Sequence, residues 1–255
     1  MKKKKLFFLV FIAVSIGLNA QLQDKWYKPD FSLNMMNSHL WRGIEVEDGL
    51  IFTPDFSIVN PSKHFRIGIW GAFNTDGSFK EFDYYFKFEH NGFHTYIWDV
   101  YNFSPGADYN NEEFFNYNAR TTGRFVDVTV GYTFNKLPLT LNWSTIIFGR
   151  DRDALNNQNR YSTFVIAEYC IYKDTKWKFE GGFGGAFALH KGKDEEGKTT
   201  SKNFFGDKPG IVQVNLKTTY NLTVLEHEMP IYLNLMMNPL HDTGFIQLGV
   251  ELLRF

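Results

Sequence analysis

A single cysteine, Cys170, stands in a chain of 255 residues, so neither an internal disulfide nor a cysteine-rich metal site can form. Beyond the first twenty residues no run approaches the roughly eighteen apolar residues that a membrane helix needs. No stretch of useful length repeats its apolar residues with a helical period. Basic residues are not in excess: the formal net charge is −1, which argues against nucleic acid as a partner. His39, His64, His90, His94, His227 and His241 are scattered without ligand spacing, which excludes a recognisable metal centre. The chain also lacks a GxSxG element, a Ser/His pair marked by local sequence, and a nucleotide motif. Asp242-Thr243-Gly244 matches an aspartic-protease string but occurs once, where a turn between strands explains it. No enzyme and no cofactor is expected.

What the chain has is aromatic residues, 18% of the total, spread over its whole length. Residues 177–190 show how they are used. Trp177, Phe179, Gly181, Phe183, Gly185, Phe187 and Leu189 alternate with Lys178, Glu180, Gly182, Gly184, Ala186, Ala188 and His190. Strand side chains point to opposite faces with period two, so one face is bulky and apolar, the other small or charged. A soluble sandwich would bury the large side chains and send long polar ones into water. This pattern suits the reverse, with Phe and Trp against lipid and a crowded polar interior.

Residues 1–20 read as a signal peptide: Lys2 to Lys5, an apolar run from Leu6, and small residues ending at Ala20. Removing those four lysines leaves 23 basic against 28 acidic residues, a mature charge of about −5. The remainder, 21–255, reads as one barrel domain. Alternating segments recur to the end: Phe31–Met36, Ile51–Val59, His64–Phe73, Glu81–Glu89, a fifth to about Phe103, Val126–Phe134, Leu139–Ile147, Tyr161–Ile171, the stretch at 177–190, Val212–Asn221, Pro230–Asn238 and Gly244–Arg254. That predicts an all-β, antiparallel up-and-down transmembrane barrel of about twelve strands. Short connections at 60–63, 90–92, 135–138 and 173–176 alternate with longer ones at 43–50, 104–121, 150–160 and 191–209. Short periplasmic turns opposite long external loops are the expected asymmetry. The connection at 223–229 is long for its class.

In the fourth strand Phe82, Tyr84, Phe86 and Phe88 oppose Glu81, Asp83, Tyr85, Lys87 and Glu89. Reversing it would place four charges in lipid, where a midplane Lys alone costs about 2–4 kcal/mol. At Asn91-Gly92 a three-residue turn, His90 to Gly92, is expected, because it pairs Asp83 with Asp99 on the inner face and keeps Asp99 from lipid. Trp41, Tyr161, Trp177 and Tyr220 are assigned to interfacial girdles, and Val212 to the lipid face. Trp70 and Tyr85, on the inner face, are placed to touch a solute.

Several stretches carry a resemblance: Trp41-Arg42-Gly43, PDFS at 54–57, GIWGAFN at 68–74, EFDYYF at 81–86, PLTLNWSTIIFGRD at 138–151 and MNP at 237–239. Over essentially the whole mature chain they resemble the small outer-membrane barrels of the TorF-type porin family. The resemblance implies the outer membrane as location, a barrel as architecture and a pore as role, with no catalytic residues. Barrels of this kind end in an aromatic on the lipid face, read by the insertion machinery. Ile246, Leu248, Val250 and Leu252 put Arg254 in that register and Phe255 out of it, unless a bulge at Leu252-Leu253 restores it.

The expected inner face collects Arg66, Glu81, Asp83, Lys87, Glu89, Asp99, Glu168, Lys178, Glu180 and Lys217. Charges in this arrangement line a narrow channel for passive diffusion of small polar solutes or ions. Besides a barrel lipid hydrolase with Ser and His at the outer lipid edge, for which no pair is marked, two other readings remain: a paired network that plugs a structural or adhesive barrel, and a soluble periplasmic barrel around an apolar ligand. The second requires the Phe-rich face to turn inward and overfill the interior. Outer-membrane lipid, lipopolysaccharide and, during insertion, the barrel-assembly machinery are the expected partners.

Overall fold

The computed structural model describes residues 27–224 and 227–255; the expected signal peptide, 1–20, lies outside the described residues. Strands β1 (Lys28–Trp41), β2 (Ile44–Val59), β3 (Phe65–Asn74), β4 (Lys80–His90), β5 (Phe93–Asn102), β6 (Phe125–Thr133), β7 (Leu139–Gly149), β8 (Ser162–Lys173) and β9 (Trp177–Ala188) follow in order. After a small hairpin of β10 (Gly192–Lys193) and β11 (Thr199–Thr200) come β12 (Gly210–Val224), β13 (His227–Asn238) and β14 (Thr243–Arg254). Without the small hairpin, twelve strands pair neighbour to neighbour and β1 closes on β14, giving a closed antiparallel up-and-down barrel. Apart from the tip of the β1–β2 hairpin, closure pairs every strand of the wall on both sides, which is what an all-strand wall in an apolar medium requires.

The wall is inside out relative to a soluble protein. Ile67, Phe183 and Ile246 are 62%, 55% and 63% exposed, whereas Ser57, Asp83 and Ser144, facing inward, are 1%, 3% and 3% exposed. On β9 the small inner residues leave room for neighbours to lean across. A Cβ on Gly184 would meet the Phe164 ring at 2.7 Å, and one on Gly182 would meet Asn215 Oδ1 at 2.3 Å.

Four turns and bulges depart from the sequence expectation. The first long loop, expected at 43–50, is instead strand: β1 and β2 stay paired to Trp41↔Ile44 and reverse at Arg42 and Gly43, with φ of 47° and 84°. Both central residues take positive φ, as a tight hairpin turn matched to strand twist demands. The β12–β13 connection is likewise short, since Val224 pairs with His227. At the β4–β5 turn Asn91 and Gly92 have φ of 51° and 85° and His90 pairs with Phe93, a two-residue turn that sets Tyr84 opposite Asp99. Asp99 therefore lies on the outer face, not in the lumen. Finally, Ile211 pairs with Gly185 and Gln213 with Gly184, so Val212 is the extra residue of a bulge. It is fully buried within the inner apolar cluster and does not face outward.

The bulge near the C-terminus is present. Leu33 pairs with Leu253 and Asn34 with Glu251, so Leu252 is the inserted residue. Arg254 turns inward toward Asp30, and Phe255 pairs by two backbone hydrogen bonds with Phe31, their rings 5.3 Å apart.

Candidate functional site

The inner face at the short-turn end is a polar lattice. Arg66 Nη1 reaches Asp30 Oδ2 and Ser57 Oγ, each at 2.7 Å. The Lys87 ammonium sits over the rings of Tyr85, Trp98 and Tyr96 at 4.6, 5.1 and 5.6 Å, an aromatic enclosure suited to a cation. Glu89 accepts the Tyr96 hydroxyl at 2.7 Å. Farther round the wall, Asn142 Nδ2 donates to Glu168 at 3.1 Å, Lys178 pairs with Glu180 at 2.6 Å, and Lys217 lies over the Tyr232 ring at 4.3 Å. Glu81 and Asp83 stand nearer the long-loop end, Glu81 accepting from Asn102 Nδ2 at 3.1 Å and Asp83 from the Tyr101 amide at 3.1 Å.

Asp99 belongs elsewhere. Outside the wall it accepts Arg124 Nη1 at 2.9 Å and the Tyr117 hydroxyl at 2.6 Å. Arg124 is fully buried, with its guanidinium over Phe114 at 4.4 Å and Tyr101 at 4.5 Å. The long connection 103–124 thus folds down over the outer face of β4 and β5 and covers the carboxylate. The charge is kept from apolar surroundings by a loop rather than by register.

The long-loop mouth holds the feature the sequence reading missed. Beyond Asn37 the β1–β2 hairpin leaves both wall neighbours and its tip folds across the lumen. Arg42 makes a bidentate pair with Asp127 of β6, at 2.8 and 2.6 Å, and its guanidinium lies 5.6 Å from the Phe164 ring of β8. A Cβ on Gly43 would sit 1.9 Å from the Val212 carbonyl oxygen, and that glycine's own carbonyl accepts from Asn238 Nδ2 at 2.9 Å. Trp41, expected in a girdle, instead packs inside against Phe205, Phe125 and Phe204 at 5.2, 5.7 and 5.8 Å. Phe204 and Phe205 come from the segment after β11, anchored by the Phe204 amide donating to Ser162 Oγ at 2.8 Å. With Ile146, Phe164 and Val212 these rings form an apolar cluster that fills this side of the mouth. The Arg42-Gly43 pair between two alternating runs was the available signal for a tight hairpin; its inward course had none.

Between the hairpin and the walls of β3–β6 a cavity of about 360 Å³ remains. Trp41, Trp70 and Trp98 wall it, Glu81 and Asp83 face it, and Arg150, just after β7, closes one side. Among the described residues no group of three or more His, Cys, Asp or Glu is arranged to hold a metal.

Geometrically this is a closed twelve-stranded barrel with an apolar exterior, a charged interior and an inward-folded hairpin. No family model matches the chain, and no curated protein does. Among solved structures it is similar to an outer membrane channel from Pseudomonas putida F1, at TM-score 0.44 and 11% identity over 89% of this chain and 94% of that one. It is also similar to OccAB3 of Acinetobacter baumannii, at 0.34 and 10%, covering 88% and 60% respectively. A third likeness, at 0.39 and 7%, covering 90% and 97%, is to a bacterial polysaccharide outer membrane secretin. The resemblance to TorF-type porins rests on the sequence stretches quoted above.

Proposed function

We propose that this protein is an outer-membrane barrel that passes small polar solutes or ions by passive diffusion through a lumen narrowed by the β1–β2 hairpin. One observation carries the reading: a closed wall whose outer face is apolar surrounds an interior lined by charges, among them Arg66, Lys87, Glu168 and Lys217. Such a wall is stable only when lipid replaces water outside. Its charged interior needs water or counter-charges, and supplies both selectivity and a path. Outer-membrane lipid and lipopolysaccharide surround the wall in this reading, and Phe255 on the outer face is the aromatic offered to the barrel-assembly machinery.

A second reading is favoured by a specific observation. The Arg42–Asp127 pair and the cluster of Trp41, Phe204 and Phe205 tie the hairpin to the far wall, as they would in a plugged structural barrel. Single-channel recording of the refolded protein in a planar bilayer decides between them. Discrete conductance steps whose ion preference changes in Lys87→Gln support a channel; a heat-modifiable, inserted barrel that stays silent supports the plug.

A further inference from the structure

The charges around the 360 Å³ cavity are only partly paired at contact distance. Arg42 and Asp127 satisfy each other. Arg150 has no such partner. Its guanidinium is stacked on Tyr109 at 3.8 Å and held near Phe204 and Phe125 at 5.2 and 5.3 Å. Nε is covered and has no hydrogen-bond partner, and the group makes no ion pair with any described residue. Covering a cation with carboxylates only at longer range, here Glu81, Asp108 and Asp151, is costly, because aromatic faces replace only part of its hydration. The arrangement fits a group that waits for an anion.

Glu81 and Asp83 face the same cavity from β4, two residues apart and so on one face. They accept hydrogen bonds from Asn102 and the Tyr101 amide, yet neither is ion-paired with a cation among the described residues. Two carboxylates and a guanidinium, none in a direct ion pair among the described residues, thus border one partly open space. Trp41, Trp70 and Trp98 border it too, and Trp70 and Trp98 meet edge to face at 6.5 Å. The volume lies at the small end of ligand pockets, which run from roughly 300 to 1,000 Å³.

We propose that this cavity binds a single small zwitterion of the aromatic amino-acid class. Its ammonium is held by Glu81 and Asp83, its carboxylate by Arg150, and its ring lies among the three indoles. This names a substrate class for the lumen and rests on the channel reading for the ligand's access and transit, but not for binding itself.

The test uses the full refolded barrel in detergent, with indole fluorescence and calorimetry as readouts. Three probes are compared: phenylalanine, phenethylamine, which lacks the carboxylate, and 3-phenylpropionate, which lacks the ammonium. Phenylalanine is expected to bind roughly tenfold or more tightly than either, the scale of one charge-assisted contact. Arg150→Gln should bring phenylalanine down to phenethylamine, and the Glu81→Gln/Asp83→Asn double variant should bring it down to 3-phenylpropionate. Equal affinity for all three probes in the unaltered protein, or no binding of any, overturns the proposal without reliance on a variant. Planar-bilayer recording separates the two claims: conductance without zwitterion preference sinks this inference alone, and zwitterion binding by a silent barrel sinks the channel alone.

Discussion

Arg42 and Asp127, 85 residues apart in the chain, meet across the mouth of the barrel through two hydrogen bonds of 2.8 and 2.6 Å. Their side chains are 13% and 3% exposed, so the pair is largely shielded and neither charge can lose its partner cheaply. Removing one member of such a pair costs about 3–5 kcal/mol. Arg42→Ala should therefore release the hairpin tip while the wall, which does not depend on it, stays closed. The expected outcome in planar bilayers is larger and noisier conductance. The exchange of both residues, Arg42→Asp with Asp127→Arg, should return the smaller steps. Unchanged conductance in Arg42→Ala would show that the tip does not set the constriction.

Phe205 contributes a second hold on the same tip, 2% exposed and packed on Trp41 at 5.2 Å. Truncating a buried Phe costs about 3–5 kcal/mol. Phe205→Ala should raise the conductance recorded in planar bilayers and also lower the unfolding midpoint in urea. A fall in stability with no change in conductance would assign the cluster to structure alone.

On the outer wall, Arg124 joins the 103–124 loop to Asp99 at 2.9 Å. Arg124→Ala should free this loop, leaving Asp99 with only the Tyr117 hydroxyl. Limited proteolysis between residues 103 and 124 is expected to become several-fold faster in the variant, with strand amides unchanged by hydrogen exchange. Equal cleavage rates would show that the aromatic packing of Phe114 suffices.

Two carboxylates of the loop after β7 should respond to acid in opposite directions. Burial pushes Asp151 above the ordinary value of 3.8, against the hydrogen bonds from Ser162. Its protonated form is favoured in the folded loop, so its contribution is stabilising at low pH and lost as pH rises through the folded value. Asp153 also feels burial, but amides of Asn157, Gln158 and Lys193 prevail and hold it below 3.8. It contributes stability above 3.8 that is lost as pH falls through its folded value. Loop hydrogen exchange measured from pH 3 to pH 6 should lose the second component in Asp153→Asn and the first in Asp151→Asn. Identical pH profiles in both variants would contradict these assignments.

Inserting an alanine between Leu253 and Arg254 should break the register in which the Leu252 bulge sets Leu33 opposite Leu253 and Phe31 beside Phe255. With the chain slipped by one residue, either Arg254 faces outward or the terminal pairing is lost. The expected outcome is a reduced fraction of heat-modifiable barrel, with Phe255→Ala giving a milder loss. A normal yield from the insertion would show that the terminal register does not govern assembly.

Alternation along each strand determined the faces. Phe82, Tyr84 and Phe86 had to go one way and Asp83, Tyr85 and Lys87 the other, because side-chain direction in a strand is a local property. Enough such strands with short turns leave a closed barrel as the stable arrangement. The Leu252 bulge was also legible, since Arg254 and Phe255 conflicted with the preceding alternation. Asp99 was not. Its placement was argued from the cost of a charge in lipid, but that cost depends on what covers the group, and Arg124 and Tyr117 arrive from a loop whose path no local pattern encodes. The same holds for Arg42 and Trp41. They form an ordinary hairpin by sequence, and only the distant positions of Asp127, Phe205 and Val212 turn it inward. Sequence decided the two faces within each regular strand; tertiary structure decided the register at turns and bulges, as at Asp99 and Val212, and what fills the interior, because these depend on contacts between segments far apart in the chain.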